Sequence, residues 1–454
     1  MESVNPATGE TIETYEEDDT AAVEAAIERA ADAFADLRER PLADREQLLA
    51  AVAEELRANT DEYAELMTAE MGKPISQARG EVEKCAWVCD HYAEYAGSYL
   101  DDQRYPSPPG VNARTSYEPL GPVLAVMPWN YPFWQVFRFA APALAAGNVG
   151  LLKHAPEVPG VARAIERVFD RAGAPEGTLQ SLLIGVDPIH ETILPDDRVA
   201  AATVTGSTRA GQAVAASAGE QLKKTVLELG GSDPFIILED ADVEAAAETA
   251  VQARLQNTGQ SCIAAKRLLV HEAVYDEFLE AFLAGVDEMV MGDPTDSETD
   301  LGPLVSERHR DGLHEQVTAS AAAGATVERG GEVPDRPGAF YPPTVLTDVP
   351  EGCPVDAEET FGPAAAVYAV SDADAAIAKA NATEYGLGAS VWTTDRERGR
   401  EIGDRIEAGN VFVNELVKSD PRVPFGGIKG SGYGRELAAA GIREFLNRKT
   451  VWIQ

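Results

Sequence analysis

The run Val123-Leu124-Ala125-Val126-Met127, closed by Pro128-Trp129-Asn130-Tyr131-Pro132, opens the series that decides the fold. An unbroken apolar run that stops at a turn-forming segment reads as a strand buried on both faces. Val149 to Leu152, Ala200 to Val204 and Val226 to Leu229 repeat the pattern, with helical stretches between them. Short buried strands alternating with helices predict an α/β protein with a doubly wound parallel sheet.

Working outward, a second β/α series follows Gly230-Gly231 and runs from Phe235–Leu238 to Val411–Asn414. The first hundred residues read as helices, with stripes at Val23, Ile27, Ala30, Phe34 and at Leu48, Leu49, Val52, Leu56, separated by Pro41. Gln103 to Gly110 is rich in Pro and precedes an alternating segment, Asn112 to Tyr117, that leaves the sheet as an excursion. Thr450 to Ile453 reads as a last strand.

At 454 residues the chain is long enough for two or three lobes around a large core. Its formal charge of −38 is spread along the whole length, and Arg greatly outnumbers Lys. Such a coat repels nucleic acid and anionic membrane, and its Lys-poor character points to a halophilic source, because salt screens the self-repulsion. No basic start and apolar core mark the N-terminus for export, so the cytoplasm is the expected compartment. The stretch Phe139 to Gly147 is broken by Pro142 and too short to span a bilayer. The cysteines, Cys85, Cys89, Cys262 and Cys353, are too scattered for a disulfide framework or a metal site. Cys85 and Cys89 share a helical face with Val82, Ala86 and Tyr92 and read as core.

Cys262 stands apart. It ends Asn257-Thr258-Gly259-Gln260-Ser261-Cys262, after a helical pattern and before a strand at Arg267 to Val270, so it sits on a turn. Taken alone it is a packed thiol or a nucleophile, but polar and Gly neighbours are poor company for a buried hydrophobe. A thiol is a good nucleophile only with a base or a positive field nearby. Glu228, between Leu227 and Leu229 at a strand end, is the candidate base, with a pKa raised by desolvation. Asn130, after the first strand, offers an amide where an oxyanion would form. Gly206-Ser207-Thr208-Arg209-Ala210-Gly211 joins a strand to a helix and suits a phosphate, although it is neither a Walker A loop nor a G-x-G-x-x-G fingerprint.

With Asn5-Pro6-Ala7-Thr8-Gly9, Leu152-Lys153-His154-Ala155, Glu359-Thr360-Phe361-Gly362-Pro363, Pro424-Phe425-Gly426-Gly427 and Lys449-Thr450-Val451-Trp452, these motifs resemble the aldehyde dehydrogenase superfamily over essentially the whole chain. The likeness extends to its short succinate-semialdehyde dehydrogenases through Leu151–Pro156 and Gly230–Phe235. The resemblance implies an aldehyde dehydrogenase fold: a Rossmann-like NAD(P)-binding domain over 1–102 and 121–228, an α/β catalytic domain over 229–418, and a small β oligomerisation arm from 103–120 and 436–454. It implies that Cys262 attacks the aldehyde, that Asn130 and the Cys262 amide hold the oxyanion, that hydride leaves for the nicotinamide, and that Glu228 activates water to release the free acid.

Cofactor contacts are implied at Trp129, Lys153, Pro156, Gly206, Ser207, Leu229, Glu359 and Phe361. Pro156 stands where NAD-preferring relatives carry a Glu that repels a 2′-phosphate, so NAD and NADP both remain open. Arg138 matches a position that supplies a cation to a substrate carboxylate; Gln256 stands where many relatives carry a second Arg, leaving Ser419 or Arg422 to assist. A homo-oligomer, dimer or tetramer, is expected. Other aldehydes stay open as substrates, as do a cofactor-free cysteine hydrolase and a non-catalytic scaffold.

Overall fold

A computed structural model describes residues 1–454. The apolar runs form one six-stranded sheet in the order Gly432–Tyr433, Lys224–Glu228, Ala201–Thr205, Pro122–Met127, Val149–His154, Leu179–Ser181. Every neighbouring pair is parallel except the two-residue edge strand, which pairs Gly432 with Glu228 and Tyr433 with Leu227. From Pro122–Met127 the chain winds first to one side and then, through Ala201–Thr205, to the other. That reversal is the switch point where parallel sheets open a crevice at their carboxyl ends.

A seven-stranded sheet, from Thr326–Arg329 at one edge to Asn410–Val413 at the other, carries the second β/α series. Its centre pairs Asp233–Ile237 with Ala265–His271, the strand that follows Cys262. The excursion is a separate three-stranded antiparallel sheet, Gln103–Tyr105, Asn112–Pro119 and Leu446–Ile453.

The structure departs from the sequence reading in three places. First, the N-terminal hundred residues are not helical throughout: Glu2–Val4 pairs with Thr11–Thr14 before helix Thr20–Leu37 begins. All four residues of Thr11–Thr14 are exposed, so no burial pattern announces the strand. Second, Pro142 does not break the apolar stretch; helix Trp134–Ala146 runs through it with all its residues buried. Packing on every face outweighs the one backbone hydrogen bond that Pro forfeits. Third, the chain from Glu436 to Phe445 does not lie with the outer sheet. Helix Ala438–Ile442 packs on helices Ile75–Leu100 and Trp134–Ala146, and the outer strand starts only at Leu446.

Cys85 and Cys89 are fully buried on helix Ile75–Leu100 with Val82, Ala86 and Tyr92. No helix is long and apolar enough to cross a membrane.

Candidate active site

Cys262 lies in the turn between helix Val243–Leu255 and strand Ala265–His271. The approach to it is held in an unusual backbone: Asn257 and Thr258 both have φ +55°, followed by Gly259 at +71°. Each non-Gly residue in that region costs roughly 1–2 kcal/mol. Asn257 offsets this by donating from Nδ2 to the Asn130 carbonyl at 2.7 Å, and its own N–H donates to Gln77 Oε1 at 2.7 Å. The Thr258 hydroxyl accepts from the Gly302 N–H at 3.1 Å. Gly259 is required there on two counts, since a Cβ would also meet the Gly362 carbonyl oxygen at 2.4 Å.

Asn130 follows strand Pro122–Met127 and is locked by reciprocal bonds: Nδ2 donates to the Gln260 carbonyl at 3.0 Å while its own carbonyl receives Asn257. His154 supports the same segment. Its Nε2 bonds the Pro132 carbonyl at 2.9 Å and its Nδ1 accepts from the Ala155 N–H, so the ring is neutral with the proton on Nε2. Burial pushes the His154 pKa down to about 4, which keeps it so.

Glu228 ends strand Lys224–Glu228, is 2% exposed, and has no hydrogen-bond partner on either carboxylate oxygen. Burial, reinforced by the like charge of Glu436, raises its pKa well above the usual carboxylate range; Arg138 and Arg435 oppose the shift. Gly426 lets the opposite chain approach, because a Cβ there would sit 2.6 Å from Glu228 Oε1. Burial also pushes the Cys262 thiol up to about 12, against the pull of Arg138 and Lys266.

Two cavities meet at this cysteine, and Cys262 and Gln135 line both. One, of about 250 Å³, gathers Asn130, Glu228, Trp129, Gly206, Ser207, Leu229, Glu359 and Phe361. In it Ser207 caps helix Thr208–Glu220, presenting the free amides and positive dipole end of that helix. Trp129 meets Phe361 edge-on at 5.6 Å, and Glu359 Oε1 accepts from the Gly231 N–H at 3.0 Å. Leu229 packs against Gly211. The buried Thr205 hydroxyl and Asn130 Oδ1 line the cleft without partners. Pro156 lies apart, lining another cavity of about 370 Å³, and Lys153 stands near the end of strand Val149–His154 without lining either.

The second cavity, of about 550 Å³, is lined by Arg138, Ser419 and Gln256 among others. Arg138 is 2% exposed and ion-paired with the buried Glu436 through its Nε. Arg422, the other candidate for a substrate carboxylate, does not line the cavity and is bound to Asp420 at 2.5 Å.

Several residues of this site escape sequence reading. Glu436 belongs to the site and not to the outer arm, because its chain returns beside Arg138. Lys266 donates to the carbonyls of Ser261 and Cys262, both at 2.8 Å, and faces Glu359 at 3.4 Å. Lys84, on helix Ile75–Leu100, lines the second cavity. The available signal for both was only a Lys in a chain where Lys is scarce.

Residues 1–451 match the model of the aldehyde dehydrogenase family. The chain is 51% identical over 451 residues, 99% of each chain, to a Synechocystis sp. protein named probable succinate-semialdehyde dehydrogenase [NADP(+)]. A Mycobacterium leprae succinate-semialdehyde dehydrogenase [NADP(+)] is 52% identical over 453 residues, again 99% of each chain. Among solved structures, succinic semialdehyde dehydrogenase from Streptococcus pyogenes in complex with NADP+ superposes with a TM-score of 0.97 at 37% identity, covering 100% of this chain and 99% of that one.

Proposed function

The chain belongs to the aldehyde dehydrogenase family, and from that premise we propose that it oxidises succinate semialdehyde to the free dicarboxylic acid with NADP+ or NAD+. The observation that carries this reading is the meeting of two cavities at Cys262. One offers a helix N-terminus, an acidic clamp and an aromatic wall; the other brings Lys84, Arg138, Lys418 and Ser419 together beside Glu81, Glu248 and Asp300.

The first cavity fits a dinucleotide. The amides ahead of helix Thr208–Glu220 suit the pyrophosphate, with Gly206 and Ser207 at the turn, and the orphaned Thr205 hydroxyl awaits a polar partner. Glu359 and Lys153 would hold the riboses, Phe361, Trp129 and Leu229 the nicotinamide side, and Pro156 opposes no charge to a 2′-phosphate. When bound, the nicotinamide supplies the hydride acceptor that turns a thiohemiacetal into a thioester.

The chain's own residues do the rest. Cys262 Sγ attacks the aldehyde carbon, and its proton passes to a base. The developing oxyanion receives the Cys262 N–H and the second N–H of Asn130, whose first is spent on Gln260. After oxidation Glu228, as the carboxylate, removes a proton from water, which attacks the thioester and returns Cys262. The carboxylate end of the substrate lies toward Arg138, whose Nη2 is buried without a hydrogen-bond partner, and Ser419.

We further read the acidic coat as halophilic, the compartment as the cytoplasm, and the outer sheet, with Trp452 and Ile453 exposed, as the surface that joins protomers into a dimer or tetramer. The test is a panel of semialdehydes and neutral aldehydes assayed with each cofactor at high salt. Preference for succinate semialdehyde supports the reading; equal or better turnover of neutral aldehydes reassigns the substrate.

A further inference from the structure

Of the cations lining the 550 Å³ cavity, Arg138 is paired with Glu436, and Lys418 donates to Glu415 at 2.8 Å. Lys84 has no ion-pair partner. The carboxylate one helical turn away from it, Glu81, is fully engaged: Oε1 accepts the N–H groups of Phe133 and Trp134, both at 2.9 Å, and Oε2 is bound by Lys73. Lys84 Nζ instead lies 4.2 Å above the Trp134 ring and donates to Ser419 Oγ at 3.1 Å.

The Ser419 hydroxyl also accepts from Trp134 Nε1 at 2.9 Å. A hydroxyl oxygen has two acceptor sites and one proton. With both acceptor sites filled by Lys84 and Trp134, Ser419 is left only with an O–H to give, and the Lys84 ammonium keeps two N–H donors. The Lys84–Ser419 corner of the cavity therefore presents only hydrogen-bond donors beside a cation without an ion-pair partner, which suits a carboxylate better than a neutral group.

We propose that Lys84, acting with the Ser419 hydroxyl, is the specificity-determining residue that binds the remote carboxylate of the substrate. The inference rests on the semialdehyde reading and adds the residue that enforces it. It accounts for Gln256: a second Arg at that position is dispensable when the cation comes from helix Ile75–Leu100. Burial, with Arg138 adding repulsion, pushes the Lys84 pKa down to about 8, against the weaker opposing pull of Cys85, Glu81 and Asp420. It stays mostly protonated at neutral pH, and an incoming carboxylate supplies what it lacks.

The experiment compares succinate semialdehyde with butanal, a neutral aldehyde of the same carbon count, in wild type, Lys84→Met and Lys84→Arg. Loss of a charge-assisted hydrogen bond in a screened cavity predicts a KM for succinate semialdehyde raised roughly 10- to 100-fold in Lys84→Met, with kcat changed little. Butanal kinetics should stay within about twofold, and Lys84→Arg should recover most of the affinity. Equal loss on both aldehydes, including loss through misfolding, makes Lys84 structural and overturns the proposal, as does an unchanged KM. If wild type itself shows no preference for the semialdehyde over butanal, the substrate reading fails, and the role of Lys84 fails with it. Preference in wild type with no response in Lys84→Met overturns the role of Lys84 alone.

Discussion

At the scale of single residues, the site sets two protonation problems. Burial pushes the Cys262 thiol up to about 12, and burial with the like charge of Glu436 raises the Glu228 carboxyl well above its ordinary range. In the proposed mechanism Glu228 acts only after losing its proton. Its raised pKa places the acid limb of kcat above the ordinary carboxylate value of about 4.3, with activity rising as pH climbs through it. Glu436→Gln removes the like charge and frees Arg138 toward Glu228, so the limb should move to lower pH; a limb that stays put would separate Glu228 from the rate. Glu228→Gln removes the proposed deacylating base while Cys262 and Asn130 remain. Stopped-flow absorbance should show a burst of about one reduced cofactor per site followed by turnover on the order of 100-fold slower or worse.

At the scale of elements, the nucleophile turn and the segment bearing Glu359 and Phe361 are stapled by one side chain. Arg254, fully buried on helix Val243–Leu255, donates to the carbonyls of Ala364 at 2.6 Å, Thr360 at 3.1 Å and Gly259 at 3.3 Å, and to that of Gly362. Arg254→Met leaves several buried carbonyls unpaired, an expected loss on the order of 3 kcal/mol or more. Denaturant unfolding should show it, and cofactor KM should rise, since the staple holds both loops; an unchanged midpoint would mean water replaces the guanidinium. The same elements show what a sequence can and cannot reveal. The buried strands were legible because their apolar runs are uninterrupted, and the turn at Cys262 because Gly259 and its polar neighbours cannot pack as a core. The hairpin strand Thr11–Thr14 was not, since all its side chains face solvent. Pro142 misled because a helix buried on every face tolerates what an isolated one does not. The Arg138–Glu436 pair and the Lys84–Ser419–Trp134 cluster join residues hundreds of positions apart, and no local pattern encodes that.

At the scale of the whole molecule, a formal charge of −38 spread over the surface makes the folded state repel itself. Raising KCl from 0.1 M to 2 M shortens the Debye length from about 10 Å to well under 5 Å. The thermal midpoint should rise across that range and activity with it; a falling midpoint would mean that the surface ion pairs, such as Arg57 with Glu83 and Asp90, outweigh the net repulsion. We propose that Cys262, at the junction of the two cavities, carries the acyl group between oxidation and hydrolysis. Mass spectrometry of Glu228→Gln, quenched in acid after mixing with succinate semialdehyde and NADP+, tests it most directly. One succinyl group is expected on the peptide containing Cys262, formed only when the cofactor is present. An unmodified Cys262 in a protein that still reduces NADP+, or an acyl group that forms without cofactor, would contradict it.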